Sequence, residues 1–371
     1  MKKAVWIARL LVGVLFIFSG LIKANDPLGL AYKMQEFFDA WNWHGWTGYT
    51  LGLSVAMINF EILAGVALLL GWQMRLVSWF LLLLMLFFLF LTSYVLFSGK
   101  ITACGCFGDC IPLTPIQTFT KDVILLVLIL FILGFRRFVQ PLFSRWTCML
   151  LLVLTILCSL WLQGYVLKHL PFLDCLPFKP GNNLVQQMQM PADAVPDSVV
   201  MVFEYDKGGV RYTFTASEIP ADPAKAGYTF VDRIDKIVRH GYHNEPPIKD
   251  FVLRAPNGGD STLPVLEQPG PYYILFRKDF DEHTTGPWVN QVVRIAGLAA
   301  QAHVPFIVVT GQHDRADELF NSILHLGLPI YTCDVTAIKT AARTNPCIFA
   351  MNGPTVVHKW GFADFYKVTV P

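Results

Sequence analysis

The chain has 371 residues, of which 54% are hydrophobic and 15% charged, and its 29 basic and 27 acidic residues leave a net charge of +2. This composition is too apolar for one soluble domain, and the charge balance lacks the basic excess that nucleic-acid binding needs. The apolar residues are concentrated before residue 170. The sequence therefore predicts a membrane half and a soluble half, with no nucleic-acid partner.

Five stretches of the first half approach the length of about 20 apolar residues that a helix needs to cross a bilayer core. They are residues 4–22, 51–72, 76–97, 115–135 and 146–167. The fourth is the weakest, because its uninterrupted apolar core starts only after Lys121 and Asp122, and it needs the Thr114-Pro115 helix start to span. We expect all five to span, so the lipid bilayer is the first partner of the chain.

Basic residues flank these stretches unevenly. One side carries Lys2, Lys3, Arg9, Arg75, Arg136, Arg137 and Arg145, and the other carries Lys23, Lys33, Lys100 and Lys121. The positive-inside rule then places the N-terminus in the cytoplasm. This predicts a bacterial inner-membrane protein whose C-terminal domain is periplasmic. A cleaved secretion signal is an alternative interpretation of the first stretch, and it would leave four spans without moving the later loops.

Two features of the membrane half suggest a site. Residues 28–41 carry apolar side chains at helical spacing, which is typical of a helix in the headgroup layer that serves as an anchor or as a lid over a site open to the lipid. Glu61 lies inside the second span, where an ionisable group is costly unless it faces the interior and finds a partner. It is either functional or held by a structural hydrogen bond near Asn59, from Arg75 or from a hydroxyl group of another helix.

The most specific signal is a cluster of three cysteines between spans three and four, Cys104, Cys106 and Cys110. On an oxidising side of the membrane this cluster favours thiol–disulfide chemistry, because the third thiolate can attack any bond formed by the other two. A Cys104–Cys106 bond would be strained and readily reduced, whereas Cys110 would pair more easily with either neighbour. Cys175, after the fifth span, is a further partner.

Two other interpretations of the cluster stay open. It could be a purely structural disulfide, or it could bind zinc or copper through three thiolates. No histidine lies close to the cluster, and an oxidising compartment would oxidise free thiolates. We therefore expect no metal.

Several motifs of the first 140 residues occur together. They are FSGLIK at 18–23, Asp26-Pro27, Glu61 and CGCFG at 104–108. Together they resemble the DoxX and MauE group of membrane proteins, in a layout similar to that of DoxX-family proteins of Bacteroides-type bacteria. The resemblance implies a four-helix redox-associated bundle in residues 1–140, to which residues 141–180 add a fifth transmembrane helix and a linker.

The family also implies a class of chemistry. MauE-like proteins are associated with methylamine utilisation, where they assist disulfide formation in a periplasmic enzyme subunit, and DoxX-like proteins are linked to quinone or thiosulfate redox. A quinone is the cofactor that this resemblance implies, although the residues themselves establish none. The fifth helix and the C-terminal domain depart from the short members of the group.

Residues 181–371 have the charge density and short apolar segments of a soluble periplasmic domain. Alternation on both sides of the turn at residues 206–209 predicts a β-hairpin over 198–214, which a loop-rich stretch follows. Residues 270–362 predict strand, helix, strand, helix, strand and a terminal hairpin. These elements are expected at residues 272–276, 287–302, 305–310, 315–326, 329–333, 346–351 and 356–360.

This order resembles the thioredoxin fold, with Pro346 where thioredoxins carry a cis-proline. Residues 280–288, which follow the first strand, contain no Cys-x-x-Cys and so no nucleophile. The predicted fold class is therefore an α-helical membrane bundle followed by an α/β thioredoxin-like domain that docks a partner. Cys347, and Cys333 if the two strands are neighbours, leave a second oxidoreductase site as the alternative.

Two functions follow. The first is a membrane-bound thiol–disulfide redox protein that acts on a periplasmic client through Cys104, Cys106 and Cys110, with a lipid-side acceptor such as a quinone and with Glu61 as the buried proton carrier. The second is a non-catalytic assembly factor or structural subunit that binds a periplasmic partner. A transporter is disfavoured, because one buried carboxylate gives a substrate little to bind. The sequence does not determine the oligomeric state.

Overall fold

The computed structural model describes residues 1–101, 105–196, 198–239, 241, 244–280 and 286–370. Its N-terminal part is helical. The helices are α1 (Lys2–Asn25), α2 (Pro27–Ala40), α3 (Thr50–Leu70), α4 (Met74–Ser98), α5 (Pro115–Phe135) and α6 (Arg145–His169). Within the described ranges, five helices are long and apolar enough to cross a membrane, and they coincide with the five predicted stretches. The predicted bundle of membrane helices is thereby confirmed, and helices of this length and composition imply a lipid bilayer around them.

Helix α2 is the exception in length and position. Its 14 residues are too few to span, and it begins directly after α1 with Asp26 as its N-cap, whose carboxylate accepts a hydrogen bond from the Gly29 amide at 3.0 Å. Helix α5 starts with a capping box, in which Thr114 and Gln117 exchange side-chain and backbone hydrogen bonds. This cap explains why the weakest stretch still begins as a helix at Pro115.

Small residues let α1 and α3 pack closely. A Cβ atom added at Gly65 would lie 2.8 Å from the carbonyl oxygen of Gly13, and one added at Gly20 would lie 2.5 Å from the side chain of Ile62. Glycines at such positions allow two backbones to approach inside a membrane, where no hydrophobic force drives the helices together. The close approach brings the last two turns of α1 against Glu61 of α3.

A short helix, α7 (Leu184–Gln187), and a three-stranded sheet open the C-terminal part. The strands β1 (Ser198–Lys207), β2 (Val210–Thr215) and β3 (Thr229–Arg239) are antiparallel in the order β2-β1-β3. The predicted hairpin is β1 and β2. The prediction that only a loop-rich stretch follows it is wrong at β3, because this segment pairs with β1 across an intervening loop.

The rest of the C-terminal part is an α/β domain, residues 262–367. Its elements are α8 (Thr262–Leu266), β4 (Pro271–Arg277), α9 (Pro287–Gln301), β5 (Phe306–Thr310), α10 (His313–Asp317) with a π-helical continuation over Glu318–Ile323, β6 (Ile330–Thr332), α11 (Val335–Ala341), β7 (Cys347–Asn352) and β8 (Thr355–Gly361). The strands form one sheet in the order β6-β5-β4-β7-β8, in which β4, β5 and β6 are parallel and β7 and β8 antiparallel.

Alternate residues of β4 enter two different cores. Tyr272, Ile274 and Phe276 pack on one side of the sheet, and Tyr273 and Leu275 pack on the other, under α9. All the strands predicted from residue 270 onward are present, whereas α11 was not predicted. That helix is short, and Asp334 starts it by accepting hydrogen bonds from the amides of Thr336 and Ala337.

Candidate redox site at the thiol end of the bundle

A disulfide joins Cys110, in the loop between α4 and α5, to Cys175, in the linker after α6. Their Cα atoms are 4.9 Å apart and both residues are half-buried. We call this end of the bundle the thiol end. The structure thus pairs Cys110 with Cys175, which the sequence offered as a further partner, because the linker passes beside the loop. Asn25 holds the linker there through two hydrogen bonds with the backbone of Leu173, at 2.8 and 3.1 Å.

Cys106 lies in the same loop, half-buried against α1. Its backbone carbonyl accepts a hydrogen bond from Ser19 Oγ at 3.0 Å. The neighbouring ring of Phe107 packs on Phe18, with 5.9 Å between the ring centroids. The loop is thus fixed to the end of α1. Cys104, the first cysteine of the predicted cluster, lies outside the described residues.

Glu61 forms a buried ion pair with Lys23. The distance from Lys23 Nζ to Glu61 Oε1 is 2.5 Å, and the two side chains are 4% and 1% exposed. Ser19 Oγ donates to Glu61 Oε2 at 3.2 Å and accepts from Lys23 Nζ at 3.2 Å. A charge pair this deep in a bundle is tolerated only when each partner satisfies the other.

Lys23 is the residue that sequence reasoning missed. It was assigned to the flank of a span, and Arg75 was among the partners suggested for Glu61. The signal was present, since Ser19 and Lys23 are four residues apart on one face of α1 and both belong to the motif at 18–23. What the sequence could not provide was the approach of α1 to α3.

A second pair lies on the other side of the cysteine loop. Asp122 of α5 is 1% exposed, and Lys121 Nζ lies 2.9 Å from its Oδ1 atom. The same ammonium group is 4.9 Å from the ring centroid of Phe107. In the sequence these two residues precede the uninterrupted apolar core of the fourth predicted span. The structure therefore places an acidic and a basic group on each side of the cysteine loop.

Two cavities meet at Lys23. The smaller, of about 30 Å³, is bounded by Lys23, Asp26, Cys110 and Cys175. The larger, of about 270 Å³, also reaches Lys23 and has Cys106 in its wall. Its other walls are mainly apolar and come from three helices: Leu30, Met34, Phe37, Phe38 and Trp41 of α2, Leu53, Ala56, Met57 and Phe60 of α3, and Phe87, Phe88 and Leu91 of α4. We call it the aromatic cavity.

The α/β domain is docked on the thiol end through ion pairs that lie beside the disulfide. Arg343, whose side chain is 6% exposed, bonds Asp26 at 2.7 Å and Asp109 at 2.8 Å. Burial lowers the pKa of Arg343, but Asp26 and Asp109 outweigh it, so the pKa is raised overall. Lys359 bonds Asp174 at 2.7 Å. Each cysteine of the disulfide therefore follows an aspartate that the domain binds.

The Asn345–Pro346 peptide bond is cis and lies three residues from Arg343. The loop that contains it therefore lies close to the thiol end. Residues 281–285, where thioredoxins would carry their nucleophile, are outside the described residues, so the absence of a cysteine there rests on the sequence.

The thiols of the α/β domain are enclosed in its core. Cys333 and Cys347 belong to the same buried cluster, and burial raises the pKa of each to about 12. Neither forms a disulfide. The hypothesis of a Cys333–Cys347 bond between neighbouring strands is wrong, because β5 and β4 lie between β6 and β7.

Comparison with known protein families finds a match for most of the membrane half. Residues 1–135 match the family described as Methylamine utilisation protein MauE. Residues 1–135 are thus similar to MauE. This confirms the MauE part of the resemblance stated from the motifs. The match ends with α5, so it covers the cysteine loop and four of the five spanning helices in the described residues. It points to a membrane-associated redox or disulfide-related function.

Two further comparisons each match part of the chain. Residues 199–240, which contain the three-stranded sheet, match a family described as a domain of unknown function (DUF8463). Protein TlpB of Flavobacterium psychrophilum is 30% identical over 135 residues, which cover 33% of this chain and 35% of the relative. The matched segment thus spans about a third of that relative's length. No solved structure matches the chain significantly.

Proposed function

We propose that the protein is a membrane-bound thiol–disulfide oxidoreductase, which oxidises the dithiols of periplasmic client proteins and passes the electrons to a quinone. The observation that carries this proposal is the half-buried Cys110–Cys175 disulfide beside the buried Lys23–Glu61 pair. A disulfide is the oxidant that a client thiolate can attack, and a buried acid–base pair can accept the protons that thiol oxidation releases.

The proposed reaction consists of two exchanges with the client, one transfer within the protein and a final reoxidation. A client thiolate attacks one sulfur of the Cys110–Cys175 bond, which breaks and leaves a mixed disulfide and one thiolate. The second client thiol resolves the mixed disulfide, so the client leaves oxidised and Cys110 and Cys175 remain as thiols. These two then reduce a disulfide between Cys104 and Cys106, the remaining cysteines of the loop. A bound quinone would supply the oxidant for this last pair, which would give up two electrons and two protons and return to the disulfide.

We also propose where the protein resides. The uneven distribution of Lys and Arg supports a bacterial inner membrane with the N-terminus in the cytoplasm. The thiol end and the α/β domain then face the periplasm, where disulfides persist. A membrane-impermeant amine reagent applied to intact spheroplasts should reach the lysines of the α/β domain and spare Lys2, and the reverse pattern would refute this orientation.

The α/β domain has a docking role in this proposal. The domain boundaries are 1–140 for the four-helix part, 141–180 for the fifth helix and linker, and 181–371 for the periplasmic part. Within the last, the strand order and the cis-proline support a thioredoxin-like unit at 270–362. Its enclosed thiols support docking of the client rather than a second redox centre.

The test uses the full chain in lipid nanodiscs with a reduced two-cysteine peptide and a short-chain quinone. Wild type should convert peptide dithiol to disulfide with equal formation of quinol. Cys110→Ser and Cys106→Ser should stop this conversion, whereas Cys158→Ser, on the exposed surface of α6 and outside the site, should not. Unchanged conversion in either of the first two variants would refute the proposal.

A second candidate function is a non-catalytic assembly factor or structural subunit. It is favoured by one observation, namely that the Cys110–Cys175 bond ties the linker of the α/β domain to the bundle. Under this function Cys110→Ser would lower the amount of protein in the membrane, while the remaining protein would bind its client normally. Measuring abundance and client oxidation in the same membranes separates the two functions.

A further inference from the structure

We infer that the aromatic cavity is the binding site for the ring of the quinone. This inference rests on the proposed function and adds to it the location of the acceptor. The volume of about 270 Å³ is close to the lower end, roughly 300 Å³, of pockets that hold small molecules. It suits a substituted ring whose apolar tail continues into the bilayer.

The mouth of the cavity opens to the lipid. Leu53, Phe60 and Phe87 line it and are also among the large apolar residues exposed on the surface of the spanning helices. A ligand dissolved in the membrane can therefore enter between α3 and α4 without crossing water. Helix α2 closes the cavity on the headgroup side through Met34, Phe37 and Trp41.

The inner end of the cavity is polar, which distinguishes a quinone from a lipid tail. Lys23 Nζ lies 5.1 Å from the centroid of the Phe88 ring and is bonded to Glu61 behind it. A ring carbonyl at this end would accept a hydrogen bond from the ammonium group, whereas an acyl chain offers it no acceptor. Burial of an apolar chain beside a charge pair would only add to the cost of desolvation.

Cys106 completes the arrangement for electron transfer. It lies in the wall of the same cavity, and Lys23 and Gly105 line both this cavity and the one beside the Cys110–Cys175 bond. In the proposed reaction the reduced Cys104 and Cys106 thiols would become a disulfide, releasing the two electrons and two protons that a bound quinone would take up. A bound quinone would need one proton on each of its two oxygens, and Lys23 with Glu61 is positioned to deliver the proton at the inner carbonyl.

The first experiment tests quinone binding with a substitution that reduces the volume of the aromatic cavity. Ala56→Trp places an indole in its wall and should raise the KM for a short-chain quinone at least tenfold, with kcat little changed, because binding and not chemistry is affected. Val127→Trp, on the exposed surface of α5 and outside the cavity, is the matched control and should leave the KM unchanged. Oxidation of the peptide dithiol by the disulfide, followed in a single turnover without quinone, should be normal in both variants.

The second experiment keeps the inference falsifiable if Ala56→Trp does not fold. A photoreactive quinone analogue, illuminated with wild-type protein in nanodiscs, should label peptides of α2, α3 or α4 that line the cavity, and unlabelled quinone should displace it. Saturable labelling elsewhere, or labelling that phospholipid displaces and quinone does not, would overturn the inference. If wild type exchanges thiols in a single turnover but Ala56→Trp keeps the normal KM for quinone, the aromatic cavity is not the quinone site. The proposed thiol chemistry would still stand. A wild type that exchanges no thiols would refute the proposed function itself.

Discussion

Two groups of cysteines in this chain lie in contrasting surroundings. At the thiol end the Cys110–Cys175 disulfide is half-buried beside a cavity that Lys23 also lines. In the α/β domain Cys333 and Cys347 are 7% and 0% exposed, and burial raises the pKa of each to about 12. The thiolate is the reacting species. The difference therefore indicates that solvent access to the sulfur and neighbouring charge, rather than the presence of a cysteine, decide where redox chemistry occurs.

The most severe test of this comparison removes one cysteine from each group. Cys110→Ser should abolish oxidation of a dithiol peptide, because no disulfide remains for the client thiolate to attack. Cys347→Ala should keep the rate within about twofold, since its thiol takes no part. The rates are measured by peptide mass spectrometry in nanodiscs. Equal loss in both variants would show that the comparison is wrong.

Alkylation sharpens the comparison without mutation. At pH 8 the thiolate fraction of a thiol with a pKa of about 12 is about a thousandfold smaller than that of a thiol with a pKa of about 9, so Cys333 and Cys347 should react with iodoacetamide correspondingly slowly. Between pH 9 and pH 10 their rates should rise about tenfold, whereas the rate of an ordinary thiol should rise less than about twofold. The measurement is site-resolved labelling of the folded protein from pH 7 to 10, with the unfolded chain as the control. Fast labelling of the folded chain at neutral pH would contradict the enclosed state.

The charge pair at the thiol end gives the next largest effect. Lys23→Met leaves Glu61 without its partner inside the bundle and should destabilise the fold by about 3–5 kcal/mol, the usual cost of breaking a buried pair. Lys23→Gln combined with Glu61→Gln keeps a hydrogen bond without charge and should restore most of that stability, while quinol formation stays slow. Unfolding in mixed micelles measures the first effect and quinone reduction the second. A double variant with normal quinone reduction would remove Lys23 and Glu61 from the proton path.

The smallest effect concerns access to the disulfide. Arg343→Met removes the ion pairs to Asp26 and Asp109, so the α/β domain should hold the thiol end less tightly, and a phosphine should reduce the Cys110–Cys175 bond about tenfold faster, a factor that corresponds to about 1.4 kcal/mol. Lys367→Met, which removes a more exposed pair with Asp364, is the control and should change the rate little. Identical reduction rates in wild type and Arg343→Met would show that the ion pairs do not restrict access.

The sequence predicted those parts of the molecule that depend on local patterns. Apolar length located the five spans, alternation located the hairpin of β1 and β2, and short apolar runs located β4, β5 and β7, which are buried on both faces. β3 was missed because its pairing with β1 is non-local. Helix α11 was missed because it has only seven residues and depends on its cap at Asp334.

The site was only partly predictable for the same reason. The cysteine cluster and Glu61 are visible as unusual residues in their local context. The partner of Glu61, by contrast, depends on glycines that let α1 approach α3, and the partner of Cys110 depends on where the linker after α6 passes. The aromatic cavity is formed by three helices that are separate in sequence, although the aromatic residues of 28–41 suggested a site open to the lipid.

The central claim is that the thiol end changes its oxidation state during turnover. The most direct measurement is differential alkylation of Cys106, Cys110 and Cys175 in native membranes, quenched with acid while a client dithiol is being oxidised. We predict that Cys110 and Cys175 accumulate as thiols when quinone is withheld and return to the disulfide when it is added. A bond between Cys110 and Cys175 that stays intact while the client is oxidised at the normal rate would contradict the account.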